Sequence, residues 1–191
     1  MKIGLYFGSF NPIHVGHCII ANFVLANTAL DQVWFIVSPQ NPHKPSAGLL
    51  NEYHRLHLVQ LAVEGEINLR VNDIEFRLTR PSFTVDTLAY LQEKYSHHAF
   101  AIVMGSDSFQ NLPKWKNHLH IVQHYPIYVY VRPGHEDITF YPNADIKKVN
   151  APLLEISSTL VRKNIKEGKS IRYLVPDKVM EEITRNGYYR N

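Results

Sequence analysis

Only one cysteine, Cys18, occurs in the 191 residues, so the chain cannot form an intramolecular disulfide. At this length a hydrophobic core is large enough to hold a fold without such a cross-link. Cys18 lies in an apolar stretch, where a small buried thiol is the more common role and a nucleophile is the alternative. These features favour a reducing compartment, and we expect a cytoplasmic protein.

Long apolar runs are also missing. No stretch of about eighteen apolar residues occurs, which argues against a transmembrane helix. Met1 leads directly into a strand-like segment, without the basic region, apolar stretch and cleavage site of a signal peptide. We therefore expect a protein without a membrane partner.

Basic residues are scattered rather than clustered. The formal net charge is only +3, and no cluster of five or more basic residues occurs. This distribution argues against nucleic-acid binding and suits small phosphorylated ligands better. The Gly-x-x-x-x-Gly-Lys-(Ser/Thr) motif is absent, which excludes P-loop kinases and NTPases.

No internal repeat, linker or low-complexity segment interrupts the chain. The length is also too short for two comfortable domains. We therefore predict one domain over residues 1–191, in which about 155–191 form a small helical part.

The ten residues Gly8-Ser9-Phe10-Asn11-Pro12-Ile13-His14-Val15-Gly16-His17 join a predicted strand to a predicted helix. Such a junction can bind anions, because free backbone N–H groups and the positive end of the helix dipole meet there. Gly8 and Gly16 allow a ligand to come close, and His14 and His17 can donate hydrogen bonds to phosphate oxygens. Alternatively, the two histidines cap the helix or lie in solvent.

Residues 33–37 predict a second buried strand, which completes a β-α-β unit. Further strands are predicted at 67–76, 99–104 and 127–131, with helices at 52–63 and from a Thr84 cap, and residues 137–150 are polar and irregular. The predicted fold class is α/β, a single-domain Rossmann-like doubly wound parallel sheet with helices on both faces.

Polar residues follow two later apolar segments. Gly105-Ser106-Asp107 places a carboxylate where it can accept a ribose hydroxyl, hold a metal-bound water or cap the next helix. Ser157, Ser158 and Arg162 combine hydroxyls and a guanidinium at a helix start, which suits a polyphosphate, although capping alone would explain Ser157. Trp115 either turns its ring inward or stacks on a flat ring.

The stretch from Gly8 to His17 resembles the signature of the nucleotidyltransferase superfamily that carries the (His/Thr)-x-Gly-His motif. The segment Ile156-Ser157-Ser158-Thr159-Leu160-Val161-Arg162 is similar to its second signature, which holds the β and γ phosphates of ATP. Three further matches resemble the nicotinate mononucleotide adenylyltransferase branch: Pro39-Gln40-Asn41-Pro42-His43-Lys44, Ser82-Phe83-Thr84-Val85-Asp86-Thr87 with Phe83 in place of the usual Tyr, and Trp115.

This resemblance implies a set of site residues. The catalytic residues would be His14, His17, Lys44 and Arg162. The ATP-binding residues would be Gly8, Ser9, Phe10, His14, Gly16, His17, Gly105, Asp107, Ile156, Ser157, Ser158 and Arg162. The second substrate would be bound by Asn11, Lys44, Phe83, Thr84, Trp115 and Arg132, with Trp115 stacked on the nicotinate ring.

The implied reaction is direct, in-line attack by the phosphate of nicotinate mononucleotide on the α phosphorus of ATP, which yields deamido-NAD and pyrophosphate. Mg²⁺ is the expected cofactor and would bind through ATP phosphates and water, because the sequence shows no dedicated cage of carboxylates. Alternatives are a pantetheine-phosphate adenylyltransferase, a cytidylyltransferase or a non-catalytic nucleotide sensor. A homo-oligomer is possible.

Overall fold

Six parallel strands form one sheet in the computed structural model, which describes residues 1–40, 48–138, 141–152 and 155–190. The strands are β1 (Lys2–Gly8), β2 (Gln32–Val37), β3 (Leu69–Asn72), β4 (Ala99–Gly105), β5 (Ile127–Tyr130) and β6 (Ile146–Val149). Their order is β3-β2-β1-β4-β5-β6, and every neighbouring pair is parallel. Because the order reverses between β1 and β4, a crevice opens beyond the carboxyl ends of these two strands.

Helices cover both faces of the sheet. They are α1 (Val15–Asn27), α2 (Glu52–Ala62), α3 (Thr84–Lys94), α4 (Ser106–Gln110), α5 (His118–His124), α6 (Ser158–Lys166) and α7 (Asp177–Asn186). Buried residues of α1, α2, α6 and α7 pack on one face, and those of α3, α4 and α5 pack on the other. The predicted doubly wound parallel sheet with helices on both faces is confirmed.

The two cores follow from the alternation of side chains along each strand. In β2, Val33 and Phe35 belong to the first core, whereas Trp34 and Ile36 belong to the second. All six residues of β2 are buried, as expected for a central parallel strand covered on both faces. Neither face of the sheet is left as a bare apolar surface along this strand.

Three helix ends are capped by residue types that favour such positions. The Asn51 side chain accepts a hydrogen bond from the N–H of Tyr53 at the start of α2. Ser157 Oγ accepts from the N–H of Leu160 at the start of α6. Gly187 ends α7 with a φ of 64°, a left-handed conformation that glycine adopts without strain.

Two predicted elements were wrong in part. The strand predicted at 67–76 covers only β3, because the Asn72 side chain accepts the N–H of Ile74 and a 3-10 turn follows. The polar region 137–150, predicted to be irregular, contains the edge strand β6. Its burial is low along most of its length, so the sequence lacks the apolar pattern of a strand.

The helix predicted to be capped by Thr84 begins instead at Thr84, and Phe83 occupies the N-cap position without a side-chain cap. None of the helices in the described ranges has both the length and the apolar character that a membrane crossing requires.

Because the two cores are separated by the sheet, we expect side chains in different cores to contribute independently to the free energy of unfolding. Leu58 of α2 and Leu88 of α3 are both fully buried but lie on opposite faces of the sheet. We expect Leu58→Ala and Leu88→Ala each to lower the free energy of unfolding by about 2–5 kcal/mol in urea titrations. Their effects should add within about 0.5 kcal/mol in the double variant. A larger coupling energy would contradict the separation of the cores.

Candidate active site

The crevice between β1 and β4 is bordered by two short connections. Gly8 ends β1, and residues 9–14 form the turn that leads into α1, which we call the β1–α1 turn. Gly105 ends β4 and passes directly into α4. The predicted nucleotide-binding segments around Gly8 and Gly105 therefore lie on neighbouring strands.

The start of α6 approaches the β1–α1 turn from the far end of the chain. Arg162 Nη1 donates to the carbonyl oxygen of Asn11 at 2.7 Å, and Ser158 Oγ donates to that of Pro12 at 2.8 Å. These bonds occupy carbonyl oxygens that would otherwise repel a phosphate. The two predicted signatures, separated by almost the whole chain, thus form one site.

His14 and His17 stack on each other, with ring centroids 3.7 Å apart. The backbone N–H of His14 donates to Nδ1 of His17 at 3.2 Å. Because Nδ1 accepts, the proton of the neutral imidazole is assigned to Nε2. His17 is thereby oriented as an Nε2–H donor, which suits a phosphate oxygen.

Burial controls the charge of His14. Its side chain is only 5 % exposed, and burial, with a smaller contribution from the positive charge of Arg132, lowers its pKa to about 4. An added Cβ at Gly16 would stand 3.0 Å from His14 Nδ1, so the glycine makes room for this ring. His14 is therefore neutral at pH 7 before a ligand binds.

The sequence led us to expect free backbone N–H groups at the start of α1, but not all of them are open to a ligand. The N–H of Val15 donates to the carbonyl oxygen of Leu174, and that of His17 donates to the carbonyl oxygen of His14. The start of α6 fits the expectation better, because Ser158 and Thr159 occupy its first turn and their N–H groups have no acceptor among the described residues.

Phe10 packs beneath the β1–α1 turn, on the side of the hydrophobic core. Its side chain is 3 % exposed and packs against Tyr6, Phe35 and His17, so it can offer a ligand only its backbone. Its φ of 45° lies in the left-handed region, which is unusual for an aromatic residue. A Cβ at Gly8 would come within 2.8 Å of the Phe10 ring, so a glycine is required there.

Two adjoining clefts open at this end of the sheet. The first, which we call the histidine cleft, has a volume of about 410 Å³. The second, the Asp107 cleft, has a volume of about 560 Å³ and includes Ser157. Arg132, Pro133 and Ile156 line both, so the predicted site residues Arg132 and Ile156 stand where the clefts meet.

Asp107 is held between a glycine and an arginine. Its Oδ2 accepts from Nη1 of Arg132 at 3.1 Å, whereas its buried Oδ1 has no hydrogen-bond partner among the described residues. A Cβ at Gly105 would collide with Oδ1 and stand 2.9 Å from Cδ of Arg132. Because Asp107 lines the second cleft, its carboxylate is placed to accept a ribose hydroxyl.

Three of the residues predicted to bind the pyridine nucleotide, Phe83, Thr84 and Trp115, lie near the start of α3. The ammonium group of Lys116, next to Trp115, lies 5.0 Å from the centre of the Phe83 ring and 2.9 Å from Asp86. Trp115 is partly buried against the second core and follows a 3-10 turn. Phe83 and Thr84 begin α3, so both segments border the same region.

The side chain of Asn11, predicted to bind the second substrate, is hydrogen-bonded within the protein. The Asn11 side chain binds backbone on both sides of its amide, donating to Gly48 at 3.1 Å and accepting from Leu50 at 3.1 Å. It therefore ties the β1–α1 turn to the segment before α2. Lys44 lies outside the described residues.

Arg55 is a functional candidate that the sequence analysis missed. Its side chain is fully buried beneath the β1–α1 turn and donates to the carbonyl oxygen of Ser9. A charged residue in a helix is normally expected on the solvent side, so its sequence position carries little signal. Tyr6 and Tyr130, whose hydroxyls are 2.9 Å apart, also line the histidine cleft and were not predicted.

Cys18 does not serve as a nucleophile in this geometry. Burial raises the pKa of its thiol to about 11, so the reactive thiolate is scarce at neutral pH. Among the described residues, no group of three or more His, Cys, Asp or Glu side chains could hold a metal ion.

Comparison with known proteins identifies the class. Residues 5–164 match the cytidylyltransferase-like family. A Plasmodium falciparum nicotinic acid mononucleotide adenylyltransferase complexed with NaAD has the same fold, with a TM-score of 0.83, 20% identity and coverage of 98% of this chain and 97% of that one. The chain therefore belongs to the cytidylyltransferase-like family of α/β proteins.

Its relatives narrow the family further. A probable nicotinate-nucleotide adenylyltransferase of Cytophaga hutchinsonii is 49% identical over 191 residues and covers the whole of both chains. The corresponding protein of Flavobacterium psychrophilum is 49% identical over 192 residues, again with complete coverage, and that of Bacteroides fragilis is 41% identical over 182 residues, 95% of this chain and 90% of its own. Membership in the nicotinate-nucleotide adenylyltransferases, which the sequence motifs predicted, is confirmed.

The low pKa of His14 predicts a pH-dependent stability. In the folded protein His14 stays neutral down to about pH 4, whereas in the unfolded chain it binds a proton near the ordinary histidine pKa of 6.5. The folded state therefore loses stability as the pH falls between these values. We expect His14→Asn to remove on the order of 3 kcal/mol of this loss at pH 4. Superimposable pH curves of unfolding free energy for wild type and variant would contradict the assignment.

Gly105 provides a test of the Asp107 cleft. Gly105→Ala should displace the Asp107 carboxylate and weaken ATP binding about tenfold in Kd, as expected for the loss of one hydrogen bond to a charged group. Gly65→Ala, placed at a φ of 87° outside both clefts, should lower Tm and leave the Kd unchanged. An unchanged Kd for Gly105→Ala, measured by calorimetry, would exclude Asp107 from the ATP site.

Proposed function

We propose that this protein transfers the adenylyl group of ATP to nicotinate mononucleotide, with the phosphates of ATP held between the β1–α1 turn and the start of α6. The observation that carries the proposal is the contact of Arg162 and Ser158 with the carbonyl oxygens of Asn11 and Pro12. This contact joins the two signature segments at the point where the order of the strands reverses.

The chemistry requires little more than alignment and charge stabilisation. A phosphate oxygen of nicotinate mononucleotide forms a bond to the α phosphorus of ATP, while the bond from that phosphorus to the bridging oxygen breaks and pyrophosphate leaves. The attacking phosphate is already an anion at neutral pH, so no general base is needed. The protein must instead offset repulsion between the two polyanions and place them in line.

His17 and His14 have the geometry to act on the α phosphate. His17 directs its Nε2–H as a donor, fixed by the bond from the His14 backbone to Nδ1. Neutral His14 lies stacked against it and can gain a proton when a phosphate enters, because the anion raises its pKa. Both roles stabilise charge that grows on the phosphoryl oxygens during transfer.

The leaving pyrophosphate belongs at the start of α6. Arg162 uses Nη1 for the Asn11 carbonyl and Nη2 for Thr159 Oγ1, and its other guanidinium hydrogens remain for phosphate oxygens. Ser157 adds a hydroxyl in the same turn, and Ser158, whose hydroxyl donates to Pro12, adds its backbone N–H. The carboxylate of Asp107 accepts a ribose hydroxyl of ATP in the adjoining cleft.

The acceptor nucleotide belongs on the side of α3. Trp115 stacks on its pyridine ring, with Phe83 and Thr84 beside it, while Arg132 and Asn11 help to place its phosphate. Lys44, as the resemblance implies, bridges the two substrates. Mg²⁺ would be held by ATP phosphate oxygens and water and would offset phosphate charge, a mode that fits a site whose donors are mainly N–H groups.

Two alternatives are separated from this proposal by experiment. A related transferase would use phosphopantetheine as acceptor or CTP as donor, and a sensor would bind nucleotide without turnover. The donors arranged on the α phosphate argue against a sensor, because binding alone does not require groups aimed at a transition state. Cytoplasmic location and a possible homo-oligomer remain predictions.

The assay measures pyrophosphate released from ATP and Mg²⁺ in the presence of nicotinate mononucleotide, its amide analogue or phosphopantetheine. We expect release with nicotinate mononucleotide, and a decrease of kcat on the order of 10² or more for His17→Ala. His120→Ala, at an exposed position of α5, is the matched control and should retain wild-type kcat. Release with phosphopantetheine but with neither mononucleotide would identify the related transferase, and the absence of release with all three acceptors would favour the sensor.

A further inference from the structure

Arg55 of α2 is fully buried, and its partners in the described part of the chain are all carbonyl oxygens. Nε donates to Leu50 at 2.7 Å, and Nη2 donates to Pro39 at 2.9 Å. Nη1 donates to Ser38 at 2.8 Å and also to Ser9. One planar cation therefore links the β1–α1 turn to both ends of the connection between β2 and α2.

Such an arrangement is costly for a residue whose task is only to fill space. Removing a guanidinium from water carries a large desolvation penalty, and apolar residues of similar volume often stabilise a core at least as well. Carbonyl dipoles offset this penalty only in part, and burial lowers the pKa of Arg55 although it stays charged at neutral pH. The four hydrogen bonds of Arg55 therefore indicate a role in holding these backbone segments in a fixed arrangement.

The connected segments are those that leave the carboxyl ends of β1 and β2. Ser9 begins the β1–α1 turn, and Ser38 and Pro39 directly follow β2. The Ser38 side chain also forms a hydrogen bond with the buried carboxyl group of Glu75, which lies in the 3-10 turn after β3. The loop after β2 is thus held from two sides by the buried side chains of Arg55 and Glu75.

The β1–α1 turn is fixed in the same manner. Arg55 binds the carbonyl oxygen of Ser9, and Arg162 binds that of Asn11, two residues further on. Tyr189 lies within electrostatic range of both guanidinium groups, and its hydroxyl is buried. Arg162 belongs to the proposed phosphate site, whereas Arg55 stands behind the turn and is closed off from solvent.

We propose that Arg55 is a positioning residue that sets the separation between the ATP-binding β1–α1 turn and the loop that leaves β2 at Ser38. That the second loop serves the attacking nucleotide rests on the function proposed above. In-line transfer depends on the distance between the two substrates, and a displacement of about 1 Å costs roughly 10² in rate. Arg55 acts on the reaction through the backbone and contacts neither substrate.

The test compares Arg55→Met, which removes the charge and all four bonds, with Arg55→Lys, which retains the charge but offers at most three donors. Arg70→Met, at an exposed position of β3, is the matched control. For the folded variants we expect kcat to fall on the order of 10² for Met and less for Lys. The separate Kd values for nicotinate mononucleotide and for an ATP analogue with a methylene bridge between the α and β phosphorus should change less than about threefold, because each substrate keeps its own contacts.

A second readout does not depend on activity. Amide hydrogen exchange in Arg55→Met should rise together in residues 9–14 and 38–40, while exchange in α7 stays unchanged. If the wild-type protein releases no pyrophosphate with nicotinate mononucleotide, the proposed function fails. The amide exchange of residues 9–14 and 38–40 then tests by itself whether Arg55 positions the two segments. If Arg55→Met does not fold, the kcat and exchange of Arg55→Lys decide.

Two results would overturn the proposal. The first is wild-type kcat in a folded Arg55→Lys or Arg55→Met variant with unchanged exchange in both loops. The second is a loss of kcat that follows the loss of folded protein and of both Kd values in parallel, which would show that Arg55 only stabilises the fold.

Discussion

The site depends on three hydrogen bonds to the backbone of the β1–α1 turn. Arg55, Arg162 and Ser158 donate to the carbonyl oxygens of Ser9, Asn11 and Pro12, respectively. Two of these donors are cations, so negative backbone dipoles beside the phosphate site are compensated before any phosphate arrives. Because the donors come from α2 and α6, the turn is also the place where the middle and the end of the chain meet. Preorganised groups of this type cost no further reorganisation during the reaction.

The electrostatics of the crevice are matched to an anionic ligand. The site holds a buried neutral histidine, His14, whose protonation is disfavoured first by burial and then by the positive charge of Arg132. In the proposed function, the triphosphate of ATP would supply negative charge beside this histidine. Without a ligand, the low pKa of His14 reduces the stability of the protein at low pH.

Most of the fold and much of the site could be predicted from sequence, for identifiable reasons. Buried parallel strands such as β2 are continuous apolar runs, and glycines and hydroxyl residues mark where they end. Edge strand β6 could not be found, because an edge position needs little apolar surface. The joining of residues 8–17 to residues 157–162 was supplied by family resemblance, since no local pattern encodes a contact across 146 positions.

Arg55 shows the other limit of sequence analysis. Its neighbours in α2 are mainly polar, and nothing in the helical pattern distinguishes a buried arginine from an exposed one. Phe10 is a similar case, because the motif suggested a ligand contact while the ring packs into the core. In both cases the deciding factor is the tertiary environment, and a side chain that supports the site has no local signature.

The most direct measurement is a crystal structure with nicotinate mononucleotide and an ATP analogue that carries a methylene bridge between the α and β phosphorus. The account predicts an α phosphate oxygen within about 3 Å of Nε2 of His17, the outer phosphates at the start of α6, and the bonds from Arg55, Arg162 and Ser158 to the turn still in place. A triphosphate bound away from the β1–α1 turn, or a turn that releases these three bonds when the ligand enters, would contradict it.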